Sequence, residues 1–207
     1  VYGAGTHLTP NLIWWPKAEP FLDYLARCSY MLQEGLFVAD VCYYYGDQGY
    51  NFVPPKHVHS SLGYGYDYDV VNPEVILTRM SARDGRITLP DGMQYELLVL
   101  PERRDIDLAV LRKLEKLVES GATIVGPKPT RSNGLGNYRA RTGEIRRIAD
   151  SMWGPCDGEN VLENTYGKGT VIWGRSLRGI LSSRAIEPDF QYSADRDGAR
   201  FTVPRGA

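Results

Sequence analysis

From residue 37 onward the chain alternates short apolar runs with amphipathic helical stretches, and no other feature restricts the fold as much. "FVADVCYYYG" reads as a buried strand over 37–45, closed by Gly46. Residues 95–100 read as a second strand, ended by Pro101. "TIVGP" and "KGTVIWG" supply two more, at 123–126 and 169–173. Between them, Asn72-Pro73-Glu74 opens a helix over 73–80: Asn can cap, Pro suits the first turn, and Glu favours the positive end of the dipole. Asp105 or Asp107 can cap a helix over 107–120, with Leu108, Leu111, Leu114 and Leu117 on one face and Gly121 at its end. Shorter helices are expected over 144–152 and in "LRGILSSR". Strands separated by helices need crossover connections, and crossovers make parallel pairs. The expected fold class is α/β: an open, doubly wound, mostly parallel sheet of the flavodoxin-like kind.

The first 35 residues stand apart. Phe21, Leu22, Leu25, Cys28, Met31 and Leu32 recur at helical spacing and predict one helix over 16–34 with a buried stripe. Pro16 or Pro20 fits its first turn and Gly35 its C-terminal end. The chain opens Val1-Tyr2-Gly3 with no initiator Met, as a piece cut from a longer protein would. Residues 46–68 read as one long loop, expected to be the most mobile internal segment. The tail from Pro188 has no strong period.

Charge and composition exclude several classes of partner. The net charge is −1 with no single-sign run, which argues against nucleic acid and against an anionic membrane surface. No apolar run is long enough to cross a bilayer. Cys28, Cys42 and Cys156 show neither a CxxC nor a metal-ligand spacing, so buried thiols are expected. Six of the 14 tyrosines crowd into 43–45 and 64–68, where they suit half-buried strands and also sugar-facing surfaces.

Open α/β sheets bind ligands at the carboxyl ends of their strands, so the loops after Tyr45, Leu100, Val125 and Trp173 are the places to search. None carries a phosphate-binding glycine loop. A class I glutamine amidotransferase has a similar sheet and needs a nucleophile on a sharp elbow. "VLPERRD" offers none, and Cys156 sits in a turn. His57 and His59 form an H-x-H pair able to hold zinc, but Ser60-Ser61-Leu62 follow where a metallo-lactonase would supply further ligands. A self-sufficient small hydrolase, lactonase or esterase, using this pair is retained as an alternative. Asp67 and Asp69 read as a solvated loop before a helix, or as calcium ligands. "GTHLTPNLIWWP" sets His7 beside Trp14 and Trp15, where indole faces can stack on sugars and an imidazole can bond hydroxyls. On composition alone these tryptophans serve equally to anchor the loop over the next helix.

"GTHLTPNLIWWPKAEPFLDYLARCSYMLQEGLFVADVCYYYGD", "YDYDVVNPEVILTRMSARDGRITLPDGMQYELLVLP" and "VESGATIVGPKPTRSNGL" together resemble glycoside hydrolase family 106, the α-L-rhamnosidases. The likeness continues to about "YGKGTVIWG" and "PDF". It implies a large bacterial enzyme, secreted or periplasmic in many members, in which a (β/α)8-type catalytic barrel precedes a flavodoxin-like domain. That domain is similar to the middle domain of family 42 β-galactosidases, which contributes to subunit contacts. The implied boundaries here are 1–35 for the end of the barrel, 36–190 for the α/β domain and 191–207 for a linker or the start of a further domain. The implied chemistry is inversion by two carboxylates ~6.5–9.5 Å apart, with rhamnose-containing glycans as substrates and calcium at the parent's sugar site. No catalytic carboxylate maps onto this chain, and no cofactor or metal site of its own is expected. His7, Trp14 and Trp15 are the expected substrate-binding residues, bordering the sugar. The expected function is an accessory domain that is not catalytic alone. Without the barrel, Trp14, Trp15 and one face of the first helix are expected to be exposed, and such a patch tends to promote association; a structural module, forming a homo-oligomer through the barrel-facing surface, is the third alternative.

Overall fold

The computed structural model describes residues 8–47, 62–195 and 198–202. The chain divides into two compact units, Val1–Phe37 and Val38–Ala207. In the first, a 3-10 turn, Trp15–Lys17, leads into helix α1, Glu19–Gln33. Pro20 occupies its first turn, one of the two prolines expected there, beside Glu19, and the helix starts later than 16. The stripe is not buried within this chain, as expected for a helix whose partner is the preceding barrel: no residue of α1 is buried. Phe21 is 51% exposed, Met31 75% and Leu32 83%. Helical spacing identifies a face that can be buried, but it does not supply the surface that buries it.

The second unit begins with β1, Val41–Tyr44, then β2, Tyr68–Val71, and α2, Pro73–Thr78. A small antiparallel sheet comes next: β3, Ser81–Arg83, β4, Arg86–Thr88, and β5, Gln94–Tyr95. Then come β6, Leu97–Val99, β7, Asp105–Ile106, α3, Leu108–Glu119, and β8, Thr123–Val125. The chain continues through β9, Arg131–Ser132, α4, Tyr138–Trp153, β10, Glu163–Tyr166, β11, Gly169–Ile172, and α5, Leu177–Ser183. It finishes with a hairpin, β12, Gln191–Asp195, and β13, Gly198–Thr202.

The main sheet has the order β10-β11-β8-β6-β1-β2. All neighbours are parallel except the edge pair β10–β11. The five parallel strands, counted along the chain, lie in the order second, first, third, fourth, fifth, which is the flavodoxin-like arrangement. The expected fold class is therefore the observed one. Strand alternation divides the core. Cys42, Leu98, Ile124 and Val171 point to the face covered by α2, α3 and α4, while Val41, Leu97, Val125 and Ile172 point to α5 and to Leu62 and Tyr66. Helices thus cover both faces.

Local chemistry explains the helix starts. The Asn72 side chain accepts from the Val75 N–H at 3.0 Å, and the Asp107 side chain accepts from the Ala109 N–H at 2.7 Å. Trp153, fully buried at the end of α4, donates its indole N–H to the Gly126 carbonyl at 3.1 Å, so the largest core side chain leaves no polar atom unpaired. Gly169 enters β11 where an added Cβ would lie 2.3 Å from the Ala122 carbonyl oxygen; only glycine lets the strand pass this close to the end of α3.

Several expectations need correction. The first strand starts at Val41, later than 37, and the strand expected over 95–100 begins at Leu97 because Gln94–Tyr95 belong to the small sheet. Helix α4 starts at Tyr138, well before 144. Strands β2, β9, β10, β12 and β13 fall where loops or no period were expected. Of the loop expected over 46–68, residues 48–61 lie outside the described residues, and with them the expected mobility. Its described end is anchored, with Leu62 and Tyr66 buried. Cys42 and Cys156 are buried free thiols, and Cys28 is half-buried. Burial pushes the Cys42 thiol up to about 12, so it is inert as a nucleophile near neutral pH. Among the described residues no helix is long and apolar enough to cross a membrane.

Candidate functional site

Two places offer side chains for function. The first is the aromatic turn. Thr9 organises it: its Oγ1 accepts from the Asn11 N–H at 3.1 Å and its carbonyl from the Leu12 N–H at 3.2 Å. Trp15 N–H donates to Leu12 O at 3.0 Å, and Lys17 N–H to Trp14 O at 2.9 Å. These overlapping tight turns leave Trp14 38% exposed and Trp15 half-buried. The two indole centroids are 5.9 Å apart with planes at 52°, so they present two differently tilted faces. His7 lies outside the described residues.

The second place is the carboxyl edge of the sheet between β1 and β6, where the strand order reverses. Gly46 and Asp47 follow β1, and Leu100 and Pro101 follow β6. Between them lies a cavity of about 20 Å³, lined by Tyr44, Asp47, Leu100, Pro101, Asp105 and Ile106 among others. That volume holds about one water molecule. Asp47 accepts from the Tyr44 hydroxyl and, through Oδ2, from the Asp107 N–H at 2.7 Å. Burial raises the Asp47 carboxyl above its usual range, and these two bonds oppose the rise. Burial also raises the Tyr44 phenol, as does its bond to Asp47. Asp107 caps α3 and takes the Arg141 Nη2 at 2.6 Å. Asp105 binds Arg103 at 3.1 Å, with Arg131 at 3.8 Å. Every carboxylate here is thus engaged by a donor of the protein itself. The arrangement ties β1, β6 and α3 together, and the described residues around it leave space for about one water.

Asp47 and Arg141 were not singled out from the sequence. The signal for Asp47 was present in "YYYGD", an acid one residue past the glycine that closes the first strand; Arg141 carries none, because its partner Asp107 is 34 positions away. His57 and His59 lie outside the described residues. Asp67 and Asp69 do not form a pair: the Asp67 side chain accepts from the Tyr68 N–H at 2.9 Å, and Asp69 accepts from the Tyr95 hydroxyl at 2.8 Å. Among the described residues no group of three or more His, Cys, Asp or Glu side chains is arranged to hold a metal ion.

A mostly parallel sheet in the flavodoxin-like order, with helices on both faces, makes the second unit a domain of the α/β class. The chain belongs to glycoside hydrolase family 106: the family model, described as alpha-L-rhamnosidase, matches residues 2–204. It is similar to the solved structure of a rhamnosidase from Novosphingobium sp. PP1Y, at 30% identity and a TM-score of 0.73 over 89% of this chain. A relative from Formosa agariphila that bears a putative beta-glucuronidase name is 37% identical over 152 residues, 72% of this chain. The chain spans 17% of the length of the first of these proteins and 13% of the second.

Proposed function

We propose that this chain is the accessory α/β portion of an α-L-rhamnosidase-like glycoside hydrolase, not catalytic by itself, with its opening turn bordering the parent's sugar site. In this reading residues 1–35 close the preceding catalytic barrel, 36–190 form the flavodoxin-like domain, and 191–207 are a linker or the start of a further domain. The parent's substrates are rhamnose-containing glycans, cleaved with inversion, and any calcium is held elsewhere in the parent. The observation that carries the reading is the sheet's switch point. It is the place where an open α/β sheet binds ligands, and here it is occupied by Asp47, Asp105, Asp107 and their own donors around a space for a single water.

The role of the turn is testable by titrating the chain with methyl α-L-rhamnopyranoside while following tryptophan fluorescence. Saturable quenching that is lost in Trp14→Ala, and reduced in Trp15→Ala, is expected. A quench unaltered in both variants removes these residues, and with them His7, from the sugar site. The exposed stripe of α1 favours a second role, a surface for association.

A further inference from the structure

Three adjacent parallel strands each start directly after an acid. Asp40 precedes β1, Asp67 precedes β2 and Glu96 precedes β6. The register sets Val41 against both Tyr68 and Leu97, so the three acids stand side by side at the amino edge of the sheet. Backbone bonds fix them there. The Asp40 N–H donates to the Asp67 carbonyl at 3.3 Å, and the Asp40 carbonyl accepts from the N–H groups of Glu96 at 2.8 Å and Leu97 at 3.2 Å. A fourth acid, Asp189, arrives on the segment between α5 and β12. That segment is tied down on either side of it: the Tyr66 hydroxyl donates to the Ile186 carbonyl at 2.8 Å, and the Phe190 N–H to the Gly65 carbonyl at 3.3 Å. Gly65 has a φ of +95°, and a Cβ there would lie 2.4 Å from the Phe190 carbonyl oxygen; only glycine lets these two segments meet.

The cations nearby are committed elsewhere. Arg86 pairs with Glu96 at 2.7 Å. Arg178 donates to the carbonyls of Tyr64 at 2.8 Å and Leu62 at 3.3 Å. The Oδ2 atoms of Asp40 and Asp189 are both buried, with no hydrogen-bond partner among the described residues. Neither presents surface to solvent, so neither a water nor a ligand can reach it from outside. Buried acceptors of this kind are costly, and a proton is the one species small enough to relieve them in place. The two carboxyls repel each other. Burial, then Asp189 and Glu96, raise the Asp40 carboxyl to about 6, with Arg86 opposing. Burial, then Asp67, raise Asp189, with its own backbone N–H opposing. The segment also has room to move: a cavity of about 440 Å³ lies beside it, lined by Tyr64, Asp67, Asp189 and Phe190 among others.

We propose that Asp40 and Asp189 form a proton-operated latch: one proton carried by the two carboxyls keeps residues 188–191 docked on the amino edge of the sheet, and its loss to solvent releases them. Docking takes that proton up from solvent, and no other bond forms or breaks. The docked pair binds the proton more tightly than the released one, so docking is fully favoured below the ordinary carboxylate value of 3.8 and weakens as pH rises through about 6. The test is amide hydrogen exchange of the 15N-labelled 207-residue chain at about pH 5 and about pH 7.5, corrected for intrinsic exchange rates. The carboxyl-carbon shifts of Asp40 and Asp189 are followed across the same range. The Asp40 carboxyl should titrate near 6, and the open population read at the Phe190 amide should rise about tenfold at the higher pH. The amides of β8, reporting global unfolding, should stay better protected than Phe190 at both. Asp40→Asn and Asp189→Asn remove the repulsion and keep the side-chain volume. Each should abolish the tenfold change, and in Asp189→Asn the Asp40 midpoint should fall toward 3.8. Equal Phe190 protection at both pH values, a tenfold change that survives in both variants, exchange of Phe190 no faster than β8, or an Asp40 carboxyl titrating at its ordinary value would overturn the proposal.

Discussion

Asp107 illustrates how much one side chain does at the switch point. Its Oδ1 caps α3, its Oδ2 takes Arg141, and its N–H donates to Asp47. Asp107→Ala removes the cap and the ion pair and keeps the backbone bond. Urea unfolding should show a loss of about 1–2 kcal/mol; an unchanged midpoint would mean the cap is solvated rather than structural. Asp40 makes the opposite contribution. Burial, then Asp189 and Glu96, raise its carboxyl from 3.8 to about 6, with Arg86 opposing. The folded state therefore holds this proton more tightly than the unfolded chain. The stability contributed by this group is complete below about pH 4 and is lost as pH rises through about 6. Asp40→Asn should flatten stability across that window and raise it at pH 7, by about 1–2 kcal/mol once solvent screening of the half-exposed carboxyl is allowed for. A variant with the same pH slope as the parent sequence would assign the slope to other groups. Asn72 and Asp107 were both legible as caps, because a cap is local. Asp40 and Asp189 were not, because their proximity depends on bringing residues 149 positions apart to one sheet edge.

At the scale of elements, the four strands flanked by clear helices were legible because a continuous apolar run between turn residues has few other readings. The missed elements have physical reasons. Strand β2 is interrupted by Asp69, whose carboxylate is paired by the distant Tyr95 hydroxyl. Edge strand β10, "ENTY", alternates between half-buried and exposed and has no apolar face to reveal it. The start of α4 lacks a side-chain cap: Asn137 sits in the left-handed region at φ 51°, with no capping bond. Helix α1 was legible as a helix from its spacing, and the exposure of its apolar face without a preceding barrel was legible from the resemblance. Its exposed Phe21, Met31 and Leu32 form an apolar surface of the kind that promotes association in isolated chains. Light scattering of the chain should show a mass that rises with concentration, and Met31→Glu with Leu32→Glu should abolish the rise without lowering the unfolding midpoint. A strictly monomeric chain at high concentration would leave this face without a self-association role.

For the whole molecule, family and sheet topology give one picture: a flavodoxin-like sheet within glycoside hydrolase family 106. Among the described residues the carboxylates at the carboxyl edge between β1 and β6 are paired by the protein's own donors, and the proposed sugar-facing chemistry lies at the aromatic turn. The central claim is that this portion supports hydrolysis without performing it. The most direct measurement is an assay of the purified 207-residue chain on an aryl α-L-rhamnoside, with and without calcium. No release of the aryl group above the uncatalysed rate is predicted under either condition. Turnover that a single Asp or Glu substitution in this chain abolishes would contradict that claim.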